Sequence, residues 1–286
     1  MIRRSLLVLT AALAPVVPLT AQSGATAELL AAAKASHSDA LYLWKDGKVL
    51  GDWTLGDPGP IEMMSAFKSV VALGIGRLLE IGKLDSLDQP VHTLYPEWKQ
   101  GRKQLITVRH LLNHTSGLQN VPNAGAEIYP APNSIALALA AELSDDPGTR
   151  FSYNNKAVNL LAGVIERASG RRMDLFLQEE LFAPLGIARY QWYFDRSGNP
   201  HAMAGLQLEA RDVAKFGILV LDRGVWNGKR LLSEAFLTEL VEPGPLYPLV
   251  GLLWWIQVDT QTVRVVSPLP ATKQADKLKA LAGKTF

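Results

Sequence analysis

An apolar stretch of helical length runs from Ser65 to Ile81, and it is the feature that most constrains the fold. Apolar residues occupy positions all around this stretch rather than one stripe, which is typical of a helix buried on every side. Gly82 follows it, where a left-handed C-terminal cap belongs. The sequence therefore predicts a buried helix over residues 65–81. A chain of 286 residues is long enough to build a hydrophobic core around such a helix.

Two glycines lie inside this predicted helix, in the segment G-I-G-R-L-L that starts at Gly74. The segment lacks the third glycine of a dinucleotide-binding loop and follows no predicted strand. We therefore interpret Gly74 and Gly76 as points where another element packs closely against the helix.

Predicted strands precede and follow a long helical middle. A β-hairpin is predicted over Leu41–Trp53, with its turn at Asp46-Gly47. Predicted helices cover residues 108–114 (capped by Thr107), 134–143 (capped by Ser134), 156–169 (closed by Gly170), 173–182, 210–222 and 234–241, and predicted strands cover 252–258 and 262–266. This order indicates an α+β fold, a sheet with a helical insertion.

The N-terminus has the pattern of a secretory signal peptide. Arg3 and Arg4 precede a short apolar run that ends near Val17, and Leu19-Thr20-Ala21 is an acceptable cleavage site before Gln22. The alternative is an uncleaved anchor, but the apolar run is short for a membrane span. The domains expected are a signal peptide at 1–21 and one domain at 22–286, in a periplasmic or secreted protein.

Charge and cysteine content exclude several classes of function. The chain has 29 basic and 27 acidic side chains, and loss of two arginines with the leader makes these numbers equal. A net charge near zero argues against nucleic acid or an anionic membrane as a partner. No later segment is long and apolar enough for a transmembrane helix, which argues against stable membrane insertion. The absence of cysteine excludes disulfides, a cysteine nucleophile, thiolate metal sites and a lipoprotein anchor. No feature of the sequence indicates an oligomeric state.

Ser65 and Lys68 lie one helical turn apart, so their side chains can meet. Ser65 is near the positive end of the helix dipole, which favours a developing negative charge. Apolar neighbours would desolvate Lys68 and lower its pKa, so that it could accept a proton at neutral pH. The pair is a workable nucleophile and base, although S-x-x-K alone is a weak motif and a capped helix with a surface lysine is the alternative.

A second polar group of interest follows the turn at Asp146-Pro147-Gly148. The segment Phe151–Asn155 precedes a predicted helix and contains Y-x-N at Tyr153 and Asn155. Taken alone, Tyr153 is a packing aromatic and Asn155 is a helix N-cap. Together with Ser65 and Lys68 in this order, they favour a catalytic interpretation.

These motifs resemble the serine β-lactamase and penicillin-binding protein superfamily, in particular its class C-like branch. The resemblance runs from about Leu41 to Ile256. It rests on the segments S-A-F-K-S-V, G-K-L-D-S-L-D-Q-P-V, I-T-V-R-H-L-L-N-H-T-S-G-L, P-G-T-R-F-S-Y-N-N, L-A-G-V-I-E-R-A-S-G, A-R-D-V-A-K-F-G and G-L-L-W-W-I. It implies an antiparallel sheet flanked by helices.

The resemblance also implies roles for individual residues. Ser65 would be the acylated nucleophile, Lys68 its proton partner, and the Ser65 N–H half of an oxyanion hole. Tyr153 would be the general acid/base that activates Ser65 and then the deacylating water. Asn155 would orient the substrate amide. Tyrosine in place of S-D-N, without a class A glutamate motif, favours class C-like chemistry without a cofactor.

The remaining motifs are interpreted as structural. His110 and His114 suggest a serine–histidine site, but G-x-S-x-G is absent and the resemblance makes H-T-S-G-L a supporting loop. The other histidines are isolated and H-E-x-x-H is absent, which argues against a metal site. Trp254-Trp255 is predicted to be core, and the lysine-rich segment 273–284 a solvated helix face.

The third motif of the family, K-T-G or H-x-G on a late strand, is not found. Lys284-Thr285 are followed by Phe286 rather than by glycine. The expected C-terminal strands are also missing, so that the domain looks incomplete. Two hypotheses result: an exported serine hydrolase acting on a β-lactam, a D-alanyl peptide, an ester or an amide, and a non-catalytic or penicilloyl-binding remnant.

Overall fold

The computed structural model describes residues 19–57, 59–258 and 263–266. A 3₁₀ turn at Met64–Ala66 leads directly into the helix that begins at Phe67. A π-helical turn at Gln178–Phe182 continues the helix that begins at Met173. The α-helices of these ranges are α1 (Leu19–Ala35), α2 (Phe67–Glu80), α3 (Val108–Leu112), α4 (Ala124–Glu127), α5 (Ser134–Ala140), α6 (Asn155–Ser169), α7 (Met173–Leu177), α8 (Ala210–Leu221) and α9 (Glu234–Leu240).

The strands pair antiparallel in small sheets. They are β1 (Ala40–Lys45), β2 (Lys48–Thr54), β3 (Ile61–Glu62), β4 (Tyr190–Trp192), β5 (Leu206–Leu208), β6 (Val225–Trp226), β7 (Lys229–Arg230), β8 (Trp255–Val258) and β9 (Val263–Val266). Within the described ranges the strand orders are β1-β2, β3-β5-β4, β6-β7 and β8-β9. Helices with antiparallel strands confirm the predicted α+β class.

The hairpin predicted at the start of the domain is present. Lys45 pairs with Lys48 across the turn at Asp46-Gly47. The φ angles of the two turn residues are 47° and 80°. Both are positive, as a type I′ hairpin turn requires, which confirms the predicted turn.

The central helix predicted from the apolar stretch is α2, and it is buried from Phe67 to Leu78. Ser65 lies in the 3₁₀ turn immediately before it. The helix ends at Glu80, and Gly82 has a φ of 66°, the left-handed conformation predicted for the cap. A helix without an exposed face can only be accommodated at the centre of a core, and its neighbours include α6 and α9.

The two glycines of α2 allow close packing, as predicted. A Cβ atom on Gly76 would lie 2.1 Å from the ring of Phe236 in α9. A Cβ atom on Gly74 would lie 2.7 Å from Leu177 in α7. Both distances are too short for a side chain, so these positions fix how near the two helices come to α2.

Helix boundaries differ from the predictions where two capping residues are adjacent. The N-cap of α5 is Asn133, whose side chain accepts a hydrogen bond from the N–H of Ala136 (2.8 Å), and α5 ends at Ala140. Ser134 is instead the first helical residue, because its hydroxyl donates to the buried carboxylate of Asp195 (2.9 Å). The predicted cap at Ser134 and the predicted end at Leu143 are therefore wrong.

Helices α3 and α6 each match the prediction at one end and differ from it at the other. The Thr107 side chain caps α3 as predicted, but α3 stops at Leu112. The chain turns at His114, whose φ is 56°. The N-cap of α6 is Asn154 rather than Asn155, and Gly170 closes α6 in the left-handed conformation (φ 76°), as predicted.

The tryptophan pair separates into two environments. Trp254 is buried, and its indole N–H donates to the Ser69 carbonyl of α2 (3.1 Å). Trp255 is only half-buried, and its ring lies 6.2 Å from the ring of Tyr153. The prediction of a core residue is therefore right for Trp254, which precedes β8, and wrong for Trp255, which begins β8 and faces Tyr153.

Several predictions concern residues outside the described ranges: most of the signal peptide, the lysine-rich segment 273–284 and the pair Lys284-Thr285. Helix α1 includes the predicted cleavage site between Ala21 and Gln22. Across the described residues, the structure contains no helix with the length and apolar character that a membrane span requires.

The packing at Gly76 makes a testable prediction. Gly76→Ala should lower the free energy of unfolding by about 1–3 kcal/mol, because the new methyl group forces α2 and α9 apart. Gly24→Ala is the matched control, since a Cβ atom there meets nothing within 4 Å. Urea denaturation measures both variants, and a Gly76→Ala variant as stable as wild type would contradict the packing described.

Candidate active site

Ser65 and Lys68 are joined by a hydrogen bond. The distance from Lys68 Nζ to Ser65 Oγ is 2.9 Å. Ser65 is in the 3₁₀ turn and Lys68 in the first turn of α2, so the three-residue spacing places both side chains on the same side. The contact expected from S-x-x-K is therefore present.

Lys68 is almost completely buried, with 1% of its surface exposed. Its Nζ also donates to the backbone carbonyl of Met203, at 2.6 Å. Burial penalises the charged ammonium and lowers the pKa of Lys68 to about 7. A substantial fraction of Lys68 is therefore neutral near pH 7, which is the form that can accept the proton of Ser65.

Tyr153 lies against both members of this pair. Its hydroxyl is close enough to Ser65 for hydrogen bonding to affect its pKa. Its ring centroid is 5.0 Å from Lys68 Nζ. Burial raises the pKa of the Tyr153 hydroxyl, with the Ser65 hydrogen bond opposing this effect. Tyr153 is therefore protonated in the resting site, and Lys68 is the better proton acceptor of the two.

His114 holds the segment that carries Tyr153. Its Nδ1 accepts a hydrogen bond from the N–H of Asn154 (3.1 Å), and its ring centroid is 4.5 Å from that of Tyr153. Burial, together with the charge of Lys68, lowers the pKa of His114 to about 3, so it stays neutral at physiological pH. The side chain of Asn120 supports the same segment by donating to the Tyr153 carbonyl (2.8 Å).

His110 has a different structural contact. Its Nδ1 accepts from the N–H of Thr107 (3.2 Å), which completes the capping box of α3. Burial lowers its pKa. Among the described residues, no hydrogen bond connects His110 to Ser65.

Asn155 begins α6, two residues after Tyr153. Its Oδ1 is shielded from solvent and has no hydrogen-bond partner among the described residues. The structure therefore brings Ser65, Lys68 and Tyr153 into contact but does not bond Asn155 to them through this oxygen. A buried acceptor without a partner costs about 1–3 kcal/mol, so it is a site where a donor would bind favourably.

Two residues beside Lys68 were missed in the sequence. Met203 contributes only its backbone carbonyl, for which the residue type is no signal. Asn159 accepts the N–H of Met203 with its Oδ1, at 3.0 Å. Asn159 follows Asn155 by one helical turn, and this i, i+4 spacing is a signal that could have identified it. Within the described part of the chain, no cluster of three or more His, Cys, Asp or Glu side chains could hold a metal ion.

The family profile described as Beta-lactamase matches residues 26–262. The chain belongs to the beta-lactamase family. The matched span contains every segment on which the resemblance was based, and it extends beyond them at both ends. The beta-lactamase/transpeptidase-like fold predicted from those segments is therefore confirmed.

Curated relatives of the chain include two hydrolases. Esterase EstB of Burkholderia gladioli is 30% identical over 176 residues, which cover 54% of this chain and 44% of the esterase. The 6-aminohexanoate-dimer hydrolase of Paenarthrobacter ureafaciens is 25% identical over 250 residues, which cover 80% of this chain and 64% of that enzyme. The chain spans less than two thirds of the length of either relative.

Solved structures of this fold are also similar. A D-stereospecific amidohydrolase from Streptomyces superposes with a TM-score of 0.61 and 24% identity. The match covers 83% of this chain and 84% of that chain. At this identity the likeness establishes the fold.

The environment of Lys68 predicts a pH dependence. If neutral Lys68 accepts the proton of Ser65, acylation of Ser65 should speed up as the pH rises through about 7, the pKa of Lys68. The sign follows from deprotonation: below this pH the ammonium has no free electron pair. The rate of labelling by a fluorophosphonate measured from pH 5 to 9 tests this, and a rate that is constant or falls across the range would contradict the base role of Lys68.

Proposed function

We propose that this chain is a serine hydrolase that forms an acyl-enzyme on Ser65. The observation that carries the proposal is the 2.9 Å contact between Ser65 Oγ and Lys68 Nζ, made by a buried lysine whose pKa is lowered to about 7. A surface lysine on a capped helix would keep its ordinary pKa and would not need a carbonyl partner. Membership of the beta-lactamase family supports the same chemistry.

The geometry supports a two-step reaction. Ser65 Oγ attacks the acyl carbon while neutral Lys68 takes its proton, and a tetrahedral intermediate forms. Tyr153, protonated and close to Ser65, donates its proton to the leaving amine or alkoxide as the C–N or C–O bond breaks, and regains a proton from the Lys68 ammonium. Water then attacks the ester on Ser65, and Lys68 and Tyr153 again transfer the protons. This step releases the acid and restores the serine hydroxyl.

Asn155 is proposed to bind the substrate rather than to move protons. Its Oδ1 is an acceptor without a partner among the described residues. A substrate amide N–H that reaches this oxygen would remove the cost of leaving it unpaired. An amide, a peptide or a β-lactam side chain provides such a donor, whereas a simple ester does not.

The substrate class proposed is a small acyl compound: a β-lactam, a D-alanyl peptide, or another ester or amide. The names of two relatives, an esterase and a 6-aminohexanoate-dimer hydrolase, cover both kinds of bond. The second candidate, a penicilloyl-binding protein, shares the first step. It differs only in holding the acyl group, so a single experiment separates the two.

Labelling of Ser65 tests the nucleophile. A fluorescent penicillin or a fluorophosphonate should label the chain once, and peptide mass mapping should place the label on Ser65. The Ser65→Ala variant is the control and should not be labelled. Release of the penicilloyl group with time supports the hydrolase, whereas a stable adduct supports the binding protein; a label on another serine would contradict both.

Changes to the helper residues should differ in their effects. Lys68→Ala should abolish labelling, because removal of one member of a coupled proton relay removes most of its benefit. Tyr153→Phe keeps the ring that packs on His114, so it should leave the melting temperature close to wild type while slowing both acylation and deacylation. Full activity of Tyr153→Phe on every acyl substrate would refute the role of Tyr153.

Export is proposed on the basis of the Arg3-Arg4 head, the short apolar run and the small residues before Gln22. Cleavage after Ala21 would shorten α1 by its first turn and leave the rest of the described structure unchanged. Expression in a bacterium, followed by mass spectrometry of the envelope and culture fractions, should yield a chain that begins at Gln22. Recovery only as a full-length, membrane-bound chain would contradict the proposal.

A further inference from the structure

The segment from Pro200 to Gly205 is a buried loop, and every residue in it is shielded from solvent. Buried backbone N–H and C=O groups need hydrogen-bond partners, because an unpaired group costs about as much as a lost hydrogen bond. This loop is not a strand, so its partners must come from other elements. The His201 N–H donates to the Tyr193 carbonyl (3.2 Å), and the Gly205 carbonyl accepts from the Tyr193 N–H (2.7 Å).

The Met203 residue of this loop connects α6 to Lys68. Its N–H donates to Asn159 Oδ1 at 3.0 Å, and its carbonyl accepts from Lys68 Nζ at 2.6 Å. Asn159 has no exposed surface. The amide of Asn159 is oriented by His201, whose Nδ1 lies 3.4 Å from Asn159 Nδ2. One asparagine therefore determines where the Met203 residue sits relative to the Lys68 ammonium.

We infer that Asn159 is a positioning residue for the Ser65–Lys68 pair: by binding the Met203 N–H, it aims the Met203 carbonyl at Lys68 Nζ and so fixes Lys68 against Ser65. The inference deepens the proposed function and rests on it for its catalytic consequence. The hydrogen-bond chain itself, from His201 through Asn159 and Met203 to Lys68, does not depend on any activity.

The groups around Lys68 determine what the loss of this contact would do. Ser65 and Tyr153 contact Lys68 from the 3₁₀ turn and from the segment before α6. His114 is neutral and packs on Tyr153, and the charge of Lys68 helps to lower the pKa of His114. Of these contacts, the Met203 carbonyl is a pure acceptor and favours the ammonium form of Lys68. A misaligned carbonyl should therefore lower the pKa of Lys68 further and loosen its contact with Ser65.

The experiment measures the titration of Lys68 directly in the full chain, by NMR of ¹³C- and ¹⁵N-labelled lysine. The Lys68 signal is identified by its absence in Lys68→Met. Asn159→Leu has a similar volume but no acceptor, so we expect its Lys68 to titrate at a lower pH than wild type. Asn159→Asp keeps an oxygen for the Met203 N–H and adds acidic character, so its Lys68 should titrate at the wild-type pH or higher. Asn159→Ala replaces Asn159→Leu if the latter does not fold.

The kinetic consequence is measured on the same variants. Labelling of Ser65 by a fluorophosphonate, corrected for folded protein, should slow about 10- to 100-fold in Asn159→Leu, since a small displacement of a catalytic group has an effect of this size. Asn159→Asp should recover most of the rate. A loss that follows only the folded fraction would overturn the inference.

Asn133→Leu is the matched control. Asn133 also accepts a backbone N–H with its Oδ1, at the start of α5, and no hydrogen bond between described residues joins it to Lys68. In the Asn133→Leu variant, Lys68 should titrate at the same pH as in wild type. Equal Lys68 titrations in Asn133→Leu, Asn159→Leu and wild type would overturn the inference. A wild-type chain that no probe acylates would instead refute the proposed function, and the titration would still decide the role of Asn159.

Discussion

Burial of the Lys68 ammonium is the constraint on which the site depends. Lys68 has 1% of its surface exposed, so its ammonium has lost nearly all its hydration, which costs several kcal/mol if the charge is retained. The fold meets this cost in two ways. It supplies acceptors, the Met203 carbonyl and the Ser65 hydroxyl, and it lowers the pKa of Lys68 to about 7, so that the lysine spends much of its time neutral. The lowered pKa of Lys68 therefore comes from the packing of α2, which shields the lysine from solvent.

Burial alone does not determine which groups Lys68 contacts. Those contacts are determined by the packing between α2, α6 and the 200–205 loop. The segment that begins α6 carries Tyr153, and the next turn of the helix carries Asn159. One end of α6 thus provides both the aromatic face under Nζ and the side chain that holds Met203. Asn159 lies within α6, which is capped at Asn154 and closed at Gly170, and Tyr153 directly precedes the cap.

Local spacing predicted some of these features and long-range packing determined the others. Ser65 and Lys68 are three residues apart, and helix geometry alone brings them together, so the pair was recognisable in the sequence. The cap of α5 was misassigned to Ser134, because its buried partner lies 61 residues further along the chain, at a distance that no local pattern encodes. The contact between Asn159 and Met203 is long-range in the same way, although the spacing of Asn159 from Asn155 was a local signal for the asparagine itself. The hydrogen bond between Asn159 and Met203 spans 44 residues, and one partner is a backbone group.

Tyr153 belongs to a second network, which is aromatic. The ring of Tyr153 has two aromatic neighbours, Trp255 and His114, with ring centroids 6.2 Å and 4.5 Å away. Tyr247 and Phe151 lie beyond these two, and their rings stack at 4.3 Å. His114 lies 5.9 Å from Phe151 and Trp255 lies 6.4 Å from Tyr247, so the five rings form a closed circuit. Rings on these sides keep water from the phenol, and burial is the largest cause of its raised pKa. Burial therefore acts in opposite directions on the pKa values of the two groups: it lowers the pKa of Lys68 and raises that of Tyr153. At one pH the lysine is thus suited to the proposed role of base and the tyrosine to that of acid.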